Sequence, residues 1–379
     1  MNKQEMKDLV CRKVDEYKDM IEGIATYLHE HPELGMKEVL AAAYLRQVLR
    51  GQGFALSDVM PDKFPTAFHA VKGQGSLQMG FLAEYDALPG IGHGCGHNLI
   101  AAMSIGAAAA FAAVAPEQAV VHLFGCPAEE TVSGKAYMAE AGVFDELDGA
   151  VIVHPAEDTA IGGTSYASHP TRFTFIGKEA HVADPDYHGI NALSALVDFY
   201  GKLEMLNKTF EEPHVIGAII TEGGKAPNII PARAVMKATV RALDAHYLEG
   251  IMLPQIRQLA QDVADAHGAE VEIVHYEPLL KNMLNDPRMD VYFAENFNLL
   301  HEQFTVKADD YAAGSTDVGN VSHIIRVSQP EIGIGGTEPA HTPGFAAAAI
   351  APYAKMQALT GAKAMAMVAV DMLFEEKNM

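Results

Sequence analysis

The sequence predicts an α/β protein: a mostly parallel sheet with helices on both faces, interrupted by a smaller inserted α+β layer. Three observations carry this expectation. Over the first 160 residues, short apolar runs alternate with helical stretches, the pattern of strands joined by crossover helices. From about residue 168 the texture becomes a series of alternating strands with two helical stretches, as expected for strands covered by helices on one face. After about residue 278 the first texture returns, so the expected domains are 1–167 with 279–379, and 168–278 between them.

Taken in order, residues 3–30 place Leu9, Val14, Tyr17, Ile21, Ile24 and Leu28 at three- and four-residue intervals, which makes one face of a helix apolar. Pro32 and Gly35 break this helix, and a second is expected over 39–49, ending near Gly51 and Gly53. Strands are expected over 66–71 and 77–83, on either side of a turn at 72–76. The apolar run 99–115 has seventeen residues and is stopped by Pro116. A bilayer helix needs about 20 residues, so this run reads as a buried core helix.

AVVHLFGCP at 119–127 reads as a strand, followed by Glu129, Glu130 and a helical stretch near 135–141. GAVIVH at 149–154 reads as another strand, ending on His154. In the inserted region TRFTFIGK, VIGAIITEGG, ARAVMKATVRA and AEVEIVHYEP read as strands, and 191–206 and 247–267 as helices. Beyond it come a helix at 289–301, the loop GSTDVGN, the strand-like EIGIGG and a long Ala- and Met-rich helix at 346–374.

Composition narrows the function. The 379 residues are 49% hydrophobic and 20% charged, an ordinary globular balance with length enough for two cores. Forty-nine acids against 27 bases give a formal charge of −22, and no basic run could track a phosphate backbone, so nucleic acid is not an expected partner. The N-terminal residues mix both charges and lack the apolar segment of a secretory signal, so a cytoplasmic protein without membrane contact is expected. Cys11, Cys95 and Cys126 are too few and too scattered for a disulfide framework.

The chemistry gathers around GFLAEYDALPGIGHGCGHN at 80–98. In parallel sheets, ligands bind beyond the carboxyl ends of the strands. Cys95, His97, Glu129, Glu130 and His154 all follow predicted strands, and His341 stands in GTEPAHTPGF. Cys95, His97, one of the two glutamates, His154 and His341 make five ligands, too many for one tetrahedral ion and suited to two divalent metals. The other glutamate is then free to act as general base. Such donors accept zinc, manganese, cobalt or nickel. Cys126 reads as a small buried hydrophobe, and Cys11 receives no role.

Rival motifs fail on the letters. The alternating glycines at 90, 92, 94 and 96 do not match a dinucleotide loop, because Cys95 and His97 interrupt the spacing. A cytidine-deaminase zinc site would need a Cys-x-x-Cys pair, which the sequence lacks. A hydrolase with Cys95 as nucleophile stands as the mechanistic alternative, and a non-catalytic metal- or ligand-binding protein as the other.

AEYDALPGIGHGCGHN, PAEE, the pair His154-Pro155, GKEAH, GINAL, APNIIPARA and AHTPGF occur in this order between His31 and Phe345. They resemble the aminoacylase and carboxypeptidase family of dinuclear metallopeptidases. Within it they are most similar to the amidohydrolase subfamily, with auxin-conjugate hydrolases, aminobenzoyl-glutamate hydrolases and related dipeptidases. The resemblance implies a zinc-peptidase-like catalytic domain and an inserted lid that also forms a homodimer. It implies that Cys95, His97, Glu130, His154 and His341 hold two zinc or manganese ions and that Glu129 is the general base. It further implies that His181 reaches into the other subunit's active site to steady the oxyanion, that Asn228 lies near the substrate carboxylate, and that Asp86 orients a metal ligand. The implied function is hydrolysis of the amide bond of an N-acyl amino acid or small dipeptide by a metal-activated water, and a deacetylase or desuccinylase would use the same centre. The peptidase branches have His-x-Asp at the first strand end and an acidic bridging ligand. Here Glu84-Tyr85-Asp86 and Cys95 occupy those places, which keeps the chain in the amidohydrolase branch.

Overall fold

A computed structural model describes residues 1–183 and 188–376. The chain separates into two units: Met1–Thr164 with Met283–Tyr311 and Asn320–Met379, and Ser165–Asn282 with Ala312–Gly319. The pattern of the sequence gives no sign that the short segment Ala312–Gly319 belongs with the second unit.

The first unit is built on a six-stranded sheet in the order Ala55–Asp58, Phe68–Gly73, Ala119–Cys126, Leu77–Glu84, Gly149–Val151, Val327–Ser328. The first two pairings are antiparallel and the remaining three parallel. Glu84 pairs with Cys126 and Phe81 with Val151, so three strands deliver their carboxyl ends to one edge. The helix His97–Val114 follows at that edge and packs on Leu77–Glu84, Lys18–Glu30 and Pro352–Glu376.

That helix is long and apolar enough to cross a membrane, yet protein surrounds it on every side. Its small residues make this possible. A Cβ at Gly106 would stand 2.5 Å from the Ile21 side chain, so the neighbouring helix can approach only because nothing is there. The N-terminal helix Lys3–Glu16 is tied to the same core by Lys7, whose buried ammonium lies 2.7 Å from the Asp371 carboxylate and donates to Asn296 at 2.6 Å.

Several elements depart from the sequence expectation. The stretch 3–30 is two helices, Lys3–Glu16 and Lys18–Glu30, broken at Tyr17. GAVIVH is two strands, and His154–Ala156 pairs with Glu331–Gly333 in a separate four-stranded sheet that also contains Ala160–Thr164 and Thr305–Ala312. An apolar run shows where strands lie but not where the chain passes between sheets. The stretch 346–374 divides into Pro343–Ala348 and Pro352–Glu376, because Pro352 has no N–H for the Ala348 carbonyl, which accepts from Ala351 instead. The helix expected over 247–267 is likewise interrupted: a π-helical turn, Leu248–Met252, precedes Leu253–His267, with Pro254 at its start.

The second unit is a four-stranded antiparallel sheet in the order His214–Glu222, Arg233–Ala242, Ala167–Ile176, Glu270–His275. The helices Ala192–Asn207 and Leu253–His267 share a core with it through Phe173, Phe175, Phe199, Met236 and Ile256. A two-stranded ribbon pairs Ala180–His181 with Ile229–Ile230.

On the large sheet, His69 stacks on Phe124 at 4.4 Å and lies 2.9 Å from His122 Nδ1. His122 donates from Nε2 to the Gln78 side chain at 2.8 Å, which leaves its Nδ1 to accept from His69. Burial, and then the neighbouring His122, hold His69 down to about 4. The folded pKa is therefore below the unfolded value of about 6.5, so the stabilisation is complete above that pH and is lost as pH falls through about 4. His69→Phe should flatten the fall in Tm between pH 7 and 4.5 measured by calorimetry. An unchanged profile would contradict this assignment.

Candidate metal centre

The edge of the large sheet assembles its polar residues from five chain segments. Tyr85 to Gly96 forms the loop between the strand Leu77–Glu84 and the helix that begins at His97. Gly96 takes φ 78°, and a Cβ there would lie 2.9 Å from the Pro155 ring. Only glycine lets this loop pass so close to the segment carrying His154.

Asp86 is the hub. One carboxylate oxygen lies 2.9 Å from His97 Nδ1, and the other accepts the Glu130 N–H at 3.0 Å. With Nδ1 engaged, His97 presents Nε2 to Glu84 at 3.3 Å and to Glu130 Oε1 at 3.9 Å. Burial disfavours the His97 cation, but the hydrogen bond to Asp86 and the proximity of Cys95 and Glu84 outweigh it and raise the pKa well above the usual value. Burial likewise opposes the Asp86 anion, and His97 with the Glu130 N–H holds it below the ordinary carboxylate range.

Cys95 Sγ lies 3.5 Å from His154 Nε2. His154 Nδ1 lies 2.7 Å from the Pro155 carbonyl, which places the ring proton on Nδ1 and turns the Nε2 lone pair toward the thiol. His341 adopts φ 68°, donates its N–H to the Gly94 carbonyl at 2.8 Å, and brings Nε2 to 3.6 Å from Glu130 Oε1. Three overlapping groups result, Cys95–His97–His154, Cys95–Glu130–His341 and His97–Glu129–Glu130, each with its ligating atoms within 4.8 Å of one another.

Two of these atoms support a cation directly. Among the described residues His97 Nε2 and Glu130 Oε1 are buried without a hydrogen bond, with Glu84 at 3.3 Å and His341 at 3.6 Å as their respective ionic neighbours, an arrangement that folded proteins rarely tolerate unless something else satisfies the group. The set of one sulfur, three imidazoles and carboxylates suits divalent ions of the zinc type. Cys95 points the same way: burial pushes its thiol up to about 12, so without a cation it stays protonated and is a poor nucleophile.

Glu84 and Lys135 escaped the sequence reading as a pair. Their charged groups lie 2.7 Å apart, both buried, directly behind His97. Glu84 stood out in the sequence only as a departure from His-x-Asp, and Lys135 carries no local signal. His181 and Asn228 lie in the second unit, exposed, His181 on the two-stranded ribbon and Asn228 in the turn just before its other strand, where the Val182 N–H donates to the Asn228 carbonyl at 3.0 Å.

Residues 80–362 match the family model of peptidase family M20/M25/M40. The mouse Xaa-Arg dipeptidase is 32% identical over 98% of this chain and 89% of its own length. One subunit of the p-aminobenzoyl-glutamate hydrolase of Escherichia coli K12 is 32% identical over 63% of this chain and 54% of its own. The crystal structure of a dinuclear metal binding peptidase of the M20 family from Bacillus subtilis superposes with a TM-score of 0.71 at 23% identity, covering 95% of this chain and 99% of that one.

Asp86→Asn keeps the shape but removes one of the two acceptors. It should weaken divalent-metal binding by about 10- to 100-fold in a calorimetric titration, and unaltered affinity would remove Asp86 from its orienting role. In metal-free protein at pH 7.5, Cys95 should react with iodoacetamide far more slowly than an exposed thiol, as followed by mass spectrometry.

Proposed function

The chain belongs to peptidase family M20/M25/M40, and from that premise we propose that it hydrolyses the amide bond of a dipeptide or other N-acyl amino acid at a two-metal centre. The observation that carries this reading is the convergence of Cys95, His97, Glu129, Glu130, His154 and His341, with the buried atoms His97 Nε2 and Glu130 Oε1 making no hydrogen bond among the described residues. Cys95, His97, Glu130, His154 and His341 would hold the two ions, zinc or manganese before cobalt or nickel. When bound, a pair of divalent cations polarises a carbonyl as a Lewis acid and makes water a nucleophile at neutral pH.

The chain's own groups supply the remaining chemistry. Asp86 fixes His97 and the Glu130 backbone together, so the positions of two ligands do not depend on solvent-exposed contacts. Glu129 takes a proton from the attacking water and delivers it to the amide nitrogen as the carbon–nitrogen bond breaks, leaving a carboxylate and an amine. Lys135 compensates the Glu84 charge behind His97. The substrate class is supported by two relatives named for cleaving, respectively, dipeptides and p-aminobenzoyl-glutamate. In this reading His181 stabilises the oxyanion and Asn228 holds the substrate carboxylate in a cytoplasmic homodimer formed through the second unit.

Glu129→Gln should retain its metal by elemental analysis while kcat on a panel of N-acyl amino acids and dipeptides falls about 10³-fold. Near wild-type turnover would reject the general-base assignment. Chelation should abolish activity, and added divalent metal should restore it. If His181 acts across a dimer, an equal mixture of re-paired His181→Ala and Glu129→Gln subunits should recover about a quarter of the wild-type rate, from the one sound site in each mixed dimer. No recovery would place His181 outside a shared site.

A further inference from the structure

The turn that carries Glu129 is held by two buried carboxyl groups, of which the mechanism above uses only Asp86. The other belongs to Glu38. It stands at the start of the helix Val39–Gly51 but does not cap it. Its side chain turns inward and is fully buried: Oε1 accepts the Ala128 N–H at 2.8 Å, and Oε2 accepts the Thr66 hydroxyl at 3.0 Å. Thr66 is fixed in turn by the Tyr85 hydroxyl, which donates to its carbonyl at 2.7 Å.

The residue that Glu38 holds is an unusual one. Ala128 has φ 61°, a left-handed conformation that side chains other than glycine rarely adopt and that persists only where the surroundings enforce it. Its carbonyl accepts the N–H groups of Val132 at 3.1 Å and Ser133 at 2.8 Å. Gly35 closes the turn from outside, since a Cβ there would lie 2.1 Å from Thr131 Oγ1. At the start of the short helix Glu129–Val132, the N–H groups of Ala128 and Glu130 have no partner within the helix. Glu38 takes one and Asp86 the other, so the Pro127–Ala128 peptide before the turn and the Glu129–Glu130 peptide after Glu129 are each fixed by a residue distant in sequence. Burying a carboxyl is unfavourable, and burial pushes that of Glu38 up to about 7. Its retention in the interior is accounted for by the backbone group it holds.

We propose that Glu38 is a positioning residue for Glu129, holding the left-handed Ala128 turn closed so that the Glu129 carboxylate stays aimed at the reacting water. The proposal rests on the reading of Glu129 as general base. A small displacement of a catalytic group is enough to cost about 100-fold in rate. Glu38→Ala leaves the Ala128 N–H without its acceptor, whereas Glu38→Gln keeps an amide oxygen in place.

The test compares both variants as full-length protein loaded with zinc or manganese. In Glu38→Ala, kcat should fall about 100-fold with KM within about threefold of wild type and metal content unchanged. Glu38→Gln should stay within about fivefold of the wild-type kcat, because one good acceptor remains. Hydrogen exchange over residues 127–132 should accelerate in Glu38→Ala but not in Glu38→Gln. If Glu38→Ala does not fold, Thr66→Val, which removes the donor that pins Glu38, should show a smaller loss of kcat and faster exchange over the same residues. Wild-type kcat and exchange in the variant that folds, an equal fall in both Glu38 variants, or loss of metal together with kcat would overturn the proposal. Exchange does not depend on turnover. An active Glu129→Gln enzyme with fast exchange confined to Glu38→Ala would sink the general-base reading and leave Glu38 as the residue that holds the turn.

Discussion

The candidate centre depends on one buried carboxylate, that of Asp86, and its two hydrogen bonds. One fixes the ring of His97 at the start of the central helix, and the other fixes the backbone of Glu130 beyond a different strand. Parallel pairing of these strands brings the two segments within reach, but a sheet alone sets positions only to within the freedom of its loops. A single group bonded to both converts that neighbourhood into a defined separation. The price is a buried anion, offset by the imidazole and by the Glu130 N–H it accepts.

The rest of the unit allows such a group to be buried. The helix His97–Val114 is rich in alanine, so its neighbours close over it from several sides and the sheet edge at its N-terminus is sealed from below. Polar groups at that edge must find partners inside the protein. Glu84 finds Lys135, Glu38 finds Ala128 and Thr66, and Asp86 finds His97 and Glu130. His97 Nε2 and Glu130 Oε1 make no hydrogen bond among the described residues and lie among the other candidate ligands, which is why they point to a cation.

Burial also decides what Cys95 can do. Its thiol is held protonated in the absence of a positive charge, which weighs against a cysteine nucleophile and favours a ligand whose proton is displaced by a metal. The same letter in an exposed, electropositive loop would support the opposite conclusion.

The sequence by itself determined the alternation of strands and helices and the inserted α+β layer, and it singled out Cys95, His97, Glu129, Glu130, His154 and His341 as candidate ligands and base, because apolar periodicity and ligand chemistry are local properties of the chain. It left Glu84, Lys135 and Glu38 without roles, since a lone Glu or Lys looks the same whether it faces water or a buried partner dozens of residues away. Nor did it show that GAVIVH feeds two sheets, because a run of apolar residues suits either. Only the tertiary structure decided those points: which charges lie close enough in a low-dielectric interior to pair, and which buried atoms remain without a partner, depend on distances between segments that no local pattern encodes.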